Sequence, residues 1–230
     1  MRANDFEFRN RFWVISALFF AAFGLYAVDH RNAAQMFARL LGRDTRFGVQ
    51  LVFVIGSLVA FLAAWIRTWA SAYLYTSVVK DADIHTDRLV ADGPYRHLRN
   101  PLYLGTVLLG ISFGLMASPT GFFVLVIGLA LFVLRLIGRE EAELEAVQGA
   151  AYRRYMRAVP AMIPAFEPRV DASGALPQWR QAFVGEAMMW IFGLGCALFA
   201  ITLNQWILYA FVVAGFIGYF PVRRVSRRIS

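Results

Sequence analysis

The sequence predicts an all-α protein, a polytopic helical bundle integral to a membrane, with about six transmembrane helices and a range of five to seven. Composition is the first reason. Of 230 residues, 59% are hydrophobic and 16% aromatic, and the mean hydropathy is +0.54. The second is that the apolar residues form continuous blocks rather than alternating or 3.6-residue patterns. Five or six blocks approach the ~20 residues that a helix needs to cross a bilayer.

Short polar or turn-forming segments separate the blocks. Residues 118–121 predict a tight turn between the third and fourth blocks, and Asn204 and Gln205 separate the last two. The first block could be a signal peptide. Its flank carries Asp5 and Glu7, however, and no clear small-residue cleavage site follows, which favours a retained anchor. The predicted spans are residues 12–28, 48–66, 102–118, 120–137, 187–203 and 206–220.

The predicted spans divide the chain into three regions. Residues 1–66 hold the N-terminal transmembrane helices with an interfacial segment, residues 67–166 form the core with a motif loop, helical hairpin and helix extension, and residues 167–230 form a C-terminal transmembrane hairpin and basic tail. Arg135 is the one ionisable residue inside a span, which argues against a pump or channel. Function is therefore expected in the long polar stretches 67–101 and 138–186.

The net charge of +8 follows membrane topology. With both termini cytoplasmic, all but four of the 23 Lys and Arg lie on the cytoplasmic side, which is the positive-inside pattern. The exceptions lie between the first two spans, so residues 29–46 form an interfacial amphipathic helix or the first block does not cross; we favour the helix. The charge predicts contact with anionic lipid head groups and no nucleic-acid partner. The four exceptions are Arg31, Arg39, Arg43 and Arg46.

Metal and disulfide chemistry have little support in the sequence. Cys196 stands alone inside the fifth predicted span, so no intramolecular disulfide is expected. His30, His85 and His97 are too dispersed to predict a metal site. Gly110 and Gly114 form a small-xxx-small pair, which is typical of helix packing.

A first polar cluster lies at the start of the third predicted span. Residues 92–94 predict a turn, and Pro101 disfavours a helix at the residue before it, so residues 95–100 form a short ordered element. A helix N-terminus offers free N–H groups and a partial positive charge, to which Arg99 adds a full one. An anion would bind there. The alternative is an interfacial aromatic belt with arginines on phosphate head groups. The cluster comprises Tyr95, Arg96, His97, Arg99, Asn100 and Tyr103.

A second cluster follows the fourth predicted span. No proline interrupts the chain until Pro160, so we expect one helix to leave the membrane. From Thr120 to Val147 it would extend ~42 Å, roughly 12 Å beyond the hydrocarbon. Glu140 and Glu141 lie nearest the bilayer and are candidates for function. Further along the helix, acidic residues are more typical of a solvated surface.

Together the clusters resemble a known family. The stretch GPYRHLRNPLYLG, residues 93–105, is similar to the GPYR-x-x-R-[HN]-P-x-Y-x-G signature of the isoprenylcysteine carboxyl methyltransferase and phospholipid methyltransferase superfamily of membrane enzymes. The second cluster resembles the family's E-E-x-x-L, Y-x-x-Y-x-x-x-V-P and I-P ending. The similarity covers roughly residues 65–166. Asn100 stands where many carboxyl methyltransferases have histidine. The matching residues of the second cluster are Glu140, Glu141, Leu144, Tyr152, Tyr155, Val159, Pro160, Ile163 and Pro164.

The resemblance implies S-adenosylmethionine as cofactor. Arg99 and Asn100 suit its carboxylate. Tyr95 and Tyr103 suit its sulfonium or its adenine ring. Glu140 or Glu141 could accept hydrogen bonds from its amino group or ribose hydroxyls. The implied cofactor-binding residues are Tyr95, His97, Arg99, Asn100, Pro101, Tyr103, Glu140 and Glu141.

Methyl transfer is an in-line displacement that depends mainly on alignment. The resemblance implies a lipophilic acceptor from the bilayer, or a small thiol, carboxyl or amine. Candidates for contacting it are Tyr152, Arg153 and Arg157, while these arginines and Arg154 also fit head-group contacts. Two other functions stay open: a reductase of the sterol-reductase type using NADPH, and a non-enzymatic membrane scaffold. A homo-oligomer is possible, and a bacterial protein of this kind would reside in the plasma membrane.

Overall fold

The structure is all-helical, as predicted. The computed structural model describes residues 1–81, 91–207, 210, 211, 213 and 214. Within these residues the chain forms ten α-helices and one 3₁₀ turn, Gly93–Arg96, and no strand. The helices are α1 (Asp5–Arg9), α2 (Arg11–Gly24), α3 (Tyr26–Asp29), α4 (Ala33–Leu40), α5 (Arg46–Asp81), α6 (Pro101–Gly114), α7 (Pro119–Gln148), α8 (Ala150–Ala158), α9 (Trp179–Gly185) and α10 (Ala187–Thr202).

Three helical stretches are long and apolar enough to cross a membrane: Arg11–Asp29, Arg46–Leu74 and Pro119–Gln148. A fourth candidate is the pair of α9 and α10, which meet at an angle of 60°. These stretches correspond to the first, second, fourth and fifth predicted spans. The helical membrane bundle is confirmed, with three to four candidate spans in the described part of the chain rather than six. Most of the predicted sixth span, 206–220, and the basic tail lie outside the described residues.

The third predicted span, 102–118, is shorter in the structure. Its helix α6 has 14 residues, which rise ~21 Å and fall short of the ~30 Å hydrocarbon layer. The apolar residues after α6 form a turn instead. Two carbonyls of this turn, those of Leu115 and Ala117, accept hydrogen bonds from the backbone N–H groups of Ala34 and Ala33 at 3.0 and 2.8 Å. Helix α4 thus satisfies backbone groups that an apolar turn would otherwise leave unpaired.

The segment between the first two predicted spans contains an amphipathic helix, α4. Its buried side consists of Ala33, Ala34 and Ala38. Ala34 and Ala38 pack with Leu115 and Phe53. Helix α4 has therefore formed where a helix was expected, while its place at a membrane interface remains a prediction.

Helix α5 forms the centre of the bundle, since it packs against α4, α6, α9 and α10, while α2 and α6 pack against α7. Where α5, α6 and α10 meet, Ala60 and Ala63 lie beside Phe113 and Phe192. Small residues on α5 let aromatic rings of its neighbours approach closely. This packing holds α6 and α10 against the middle of α5.

Helix α7 continues beyond its apolar run into polar residues, as predicted, and its 30 residues extend ~45 Å. It ends where Gly149 adopts φ 57° and ψ −125°, a left-handed conformation that glycine adopts readily. Helix α8 then starts in a new direction. The predicted helix from Thr120 to Val147 is therefore confirmed to within one residue at each end, and Gly149 rather than Pro160 ends it.

Two glycines of α6 lie where neighbouring helices approach closely. A Cβ at Gly110 would lie 2.5 Å from Cδ2 of Leu129, so the structure gives Gly110 the helix-packing role predicted from its spacing. A Cβ at Gly105, the last glycine of the first motif, would overlap Cγ of Arg67 and lie 3.1 Å from the carbonyl oxygen of Ala63.

Gly105→Ala is expected to destabilise the protein by about 1–3 kcal/mol, because the added methyl group must displace Arg67 or separate α5 from α6. Thermal unfolding of the purified protein in detergent measures this. The matched control is Gly24→Ala in α2, where nothing lies within 4 Å of the added Cβ. Equal unfolding temperatures for the two variants would contradict the close approach.

Candidate functional site

The two motifs meet where the start of α6 packs against the polar part of α7. Arg99 donates from Nε to Oε1 of Glu141 at 2.8 Å and from Nη2 to Oε2 at 3.2 Å. Such a two-pronged contact holds both groups in one orientation. The two side chains are 12% and 16% exposed. Residues separated by 42 positions in the sequence thus form one largely buried ion pair.

Arg99 also holds the end of α8. Its Nη1 donates to the carbonyl oxygens of Met156 and Val159, both at 2.6 Å, and its backbone N–H donates to the carbonyl of Pro160 at 2.9 Å. A guanidinium has five N–H donors, and four of them are engaged by these contacts. Arg99 therefore joins α6, α7 and α8, and a single Nη2–H remains for another partner.

Asn100 and Tyr103 extend the junction along α7. Asn100 donates from Nδ2 to Oε1 of Glu141 at 3.1 Å and to the carbonyl of Ala161 at 3.2 Å. Tyr103 donates its hydroxyl to Oε1 of Glu140 at 2.7 Å. Asn100 does not cap α6 with its side chain, and Pro101 occupies the first turn of that helix. The next N–H groups at this helix N-terminus therefore have no side-chain cap, which suits an anion.

One buried acceptor lies about two turns beyond Glu141 along α7. It is Oε1 of Gln148, which has no hydrogen-bond partner among the described residues. Gln148 shares a helix face with Glu141 and Glu145 through i, i+4 and i+7 spacing. A buried polar atom without a partner is costly in a folded protein, so this oxygen marks a position where a ligand donor or a water would bind.

Tyr95 and His97 order the chain around the junction. The ring of Tyr95 is buried, with 9% exposure, and its carbonyl accepts from the hydroxyl of Tyr155 at 2.8 Å. Nδ1 of His97 lies 2.9 Å from the carbonyl of Ala165, and Ala165 donates its N–H to the carbonyl of His97 at 3.0 Å. Tyr95 and His97 thus make structural contacts here, and their cofactor-binding role remains a prediction.

Helix α8 separates the residues predicted to contact the acceptor. Tyr152 lies on the buried face, with its ring 5.9 Å from that of Tyr155, while Arg153, Arg154 and Arg157 are exposed on the opposite face. Burial raises the pKa of Tyr152 to about 12, so its hydroxyl stays protonated at neutral pH. The structure does not bring Tyr152 together with the arginines at one point.

Asp92 anchors a distant loop to the first motif. Its carboxylate accepts hydrogen bonds from the N–H of Ser173 at 2.7 Å, from the Ser173 hydroxyl, and from the N–H of Ala175 at 3.1 Å. Burial alone would raise the pKa of Asp92, but these hydrogen bonds outweigh burial and hold the pKa below its usual value.

Acid is therefore expected to remove the stabilisation that Asp92 supplies. Because the folded-state pKa is lowered, this contribution is complete above the ordinary aspartate pKa of about 3.9 and is lost as the pH falls through the lowered pKa. Unfolding temperatures of the natural protein and of Asp92→Asn should differ at pH 6, and the difference should shrink as the pH falls below the ordinary aspartate pKa of about 3.9. A constant difference across this range would contradict the assignment.

Sequence reasoning missed a second buried ion pair close to the junction. Arg67 donates from Nε and Nη2 to the two carboxylate oxygens of Glu186, at 2.7 and 3.1 Å. From Nη1 it also donates to the carbonyl of Leu102 at 3.1 Å and to Oγ1 of Thr106 at 2.9 Å. The sequence signal that could have revealed this pair is its position, since Arg67 directly follows one predicted span and Glu186 directly precedes another.

The comparisons with known proteins agree with the motifs. Residues 51–150 match the family model described as phospholipid methyltransferase. The match contains the whole first motif, Glu140 and Glu141, and it ends before Tyr152. No curated protein and no solved structure matches the chain. Residues 51–150 are therefore similar to the phospholipid methyltransferase family, which lies within the superfamily of integral membrane methyltransferases that the two motifs indicated.

Proposed function

We propose that the protein transfers a methyl group from S-adenosylmethionine to a lipophilic acceptor, or to a small thiol, carboxyl or amine, at the cytoplasmic face of the membrane. The observation that carries this proposal is the junction of the motifs. Arg99 and Asn100 both bind Glu141, and Tyr103 binds Glu140. The family match supports methyl transfer, and the junction supplies polar groups suited to the cofactor.

The groups left free at the junction fit the parts of this cofactor. Its amino group and ribose hydroxyls need acceptors, and the second carboxylate oxygen of Glu140 at the junction and Oε1 of Gln148 about two turns further along α7 would supply them. Its carboxylate needs donors, and the uncapped start of α6 together with the remaining Nη2–H of Arg99 supplies those. When bound, the cofactor supplies a methyl group on a positively charged sulfur.

The protein itself would align the cofactor with the acceptor and exclude water from the site. Methyl transfer needs little proton transfer, so orientation of the two reacting molecules provides most of the rate. The Arg99 and Glu141 pair holds α6 against α7, which fixes Tyr103 beside Glu140. The buried rings of Tyr95, Tyr152 and Tyr155 close the side of the junction facing α8.

The acceptor and the orientation form part of the same proposal. A lipophilic acceptor would enter from the bilayer, and the exposed Arg153 and Arg157 of α8 would contact an acidic acceptor or anionic head groups. The distribution of Lys and Arg supports cytoplasmic termini and a cytoplasmic site. A soluble cofactor could then reach the junction from water.

Binding titrations test the proposal. Purified protein in detergent is titrated with S-adenosylmethionine, with its demethylated product and with NADPH. We expect both adenosyl compounds to bind far more tightly than millimolar, and Glu140→Gln to weaken S-adenosylmethionine by about tenfold through loss of a charge-assisted contact. The control is Glu143→Gln on the exposed side of the same helix.

Two outcomes would overturn the proposal. Tight binding of NADPH with no binding of either adenosyl compound would favour a reductase, and no binding of any of the three would favour a scaffold. Incubating lipid extracts with methyl-labelled cofactor then identifies the acceptor by the molecule that gains the label.

A further inference from the structure

A cavity lies at the start of α5, at the opposite end of its membrane-spanning part from the motif junction. It has a volume of about 390 Å³ and is lined by α4, the start of α5 and the end of α10, within the ~300–1,000 Å³ of small-molecule sites. Arg46 at this end and Arg67 at the other are separated by 21 residues, a rise of ~32 Å along the helix. The cavity and the junction are therefore about one bilayer thickness apart.

The mouth of this cavity is basic and polar. Arg39 and Arg46 line it together with Gln35 and Asp44. Arg39 donates from Nε to Oδ2 of Asp44 at 2.9 Å, and both side chains are about half exposed. Among the described residues Arg46 has no ion-pair partner. The lining thus carries two guanidiniums against one carboxylate, so its net charge favours an anion.

The floor of the cavity is apolar. Phe53 and Phe199 form it with their rings in an edge-to-face contact, 4.9 Å between centroids, and Val49 and Leu203 complete it. A free phosphate would contact only the guanidiniums at the mouth, whereas an acyl chain alone would contact only the apolar floor. A molecule with an anionic head and an apolar tail satisfies both surfaces.

The charge distribution of the chain also favours this occupant. Under the orientation proposed above, the segment holding Arg39 and Arg46 faces the side opposite to the basic loops. Positive charge on that side does not follow the positive-inside rule, so membrane topology does not account for these two arginines. A guanidinium can bind a phosphate group in a two-pronged contact, so two arginines beside an apolar floor suit the head group of an anionic lipid.

We propose that this cavity binds an anionic phospholipid, with its phosphate at Arg39 and Arg46 and an acyl chain on Phe53 and Phe199. The site is separate from the methyltransferase junction and does not depend on the activity proposed for it. Binding there would join α4 to the ends of α5 and α10.

Native mass spectrometry of the full chain in detergent tests the proposal. The probes are dioleoyl phosphatidylglycerol, dioleoyl phosphatidylcholine and glycerol phosphate without acyl chains. We expect the anionic lipid to bind about tenfold more tightly than the zwitterionic lipid, and Arg46→Gln to remove about that factor. Asp44→Asn should strengthen binding, because it removes the opposing carboxylate. The matched control, Arg31→Gln, changes a charge in the same segment that does not line the cavity.

Several results would overturn the proposal. Arg46→Gln and Arg39→Gln binding the anionic lipid as tightly as Arg31→Gln would show that the arginines do not hold the head group. Glycerol phosphate binding as tightly as the lipid would show a phosphate site rather than a lipid site. A change of oligomeric mass in Arg46→Gln with unchanged lipid selectivity would assign the cavity to a contact between copies of the chain. Because Asp44→Asn predicts a gain of binding, misfolding cannot mimic that result.

Discussion

Glu141→Ala is expected to destabilise the protein by about 3 kcal/mol and to abolish methyl transfer. Glu141 is the carboxylate on which Arg99 and Asn100 both converge, so its removal leaves the largely buried guanidinium of Arg99 without a counter-charge. Breaking a buried pair on one side costs about 3–5 kcal/mol, and the residual exposure of both partners places the effect near the lower limit. Thermal unfolding in detergent and transfer of label from methyl-labelled cofactor measure the two effects.

Glu145→Ala is the matched control for this prediction. Glu145 lies one turn further along α7 and contacts Arg153 at 3.5 Å, with both side chains substantially exposed. Exposed pairs contribute about 0–1 kcal/mol, so the control should unfold close to the natural protein. A Glu141→Ala variant as stable and as active as the control would refute the junction.

Glu186→Ala is expected to cost a similar 3–5 kcal/mol, because Glu186 neutralises Arg67 inside the bundle, where the two side chains are 9% and 19% exposed. The variant should also lower methyl transfer. Arg67 holds the carbonyl of Leu102 and the hydroxyl of Thr106 in the first turns of α6, so a displaced Arg67 would loosen the helix that carries Tyr103. Unfolding temperature and methyl transfer are measured on the same preparations.

An apolar double replacement separates the two effects. Replacing a buried ion pair by apolar residues of similar size is often neutral or stabilising, so Arg67→Met combined with Glu186→Leu should recover most of the stability lost in Glu186→Ala. Activity should stay low, because methionine cannot donate to Leu102 or Thr106. A double variant no more stable than Glu186→Ala, or one that is fully active, would contradict this role.

The fold class and the meeting of the two motifs were predictable from the sequence. Continuous apolar blocks require helices in a bilayer, and the polar clusters at 93–103 and 140–141 flank two consecutive helices, which places them at the same end of the hairpin. The direct pairing of Arg99 with Glu141 was not predictable. It depends on how α6 is rotated relative to α7, and that rotation is set by side-chain packing rather than by local sequence.

The differences from the prediction have local physical causes. Residues 115–117 are as apolar as those of a membrane-spanning helix. They nevertheless form a turn, because α4 supplies two N–H donors to their carbonyl groups. Gly149 ends α7 because its backbone is left-handed, and an isolated glycine in a helical pattern does not reveal this beforehand. The pairing of Arg67 with Glu186 joins residues 119 positions apart, and no spacing rule connects them.

The uninterrupted helix from Pro119 to Gln148 also restricts how this chain can change in length. One residue inserted between Ser118 and Glu140 would turn every later side chain by about 100° around the helix axis. Glu140 and Glu141 would then face away from Tyr103 and Arg99, even though each residue type was retained. Loops that make no contact with the junction can gain or lose residues at far smaller cost, so insertions and deletions among related chains should fall in such loops and spare α7.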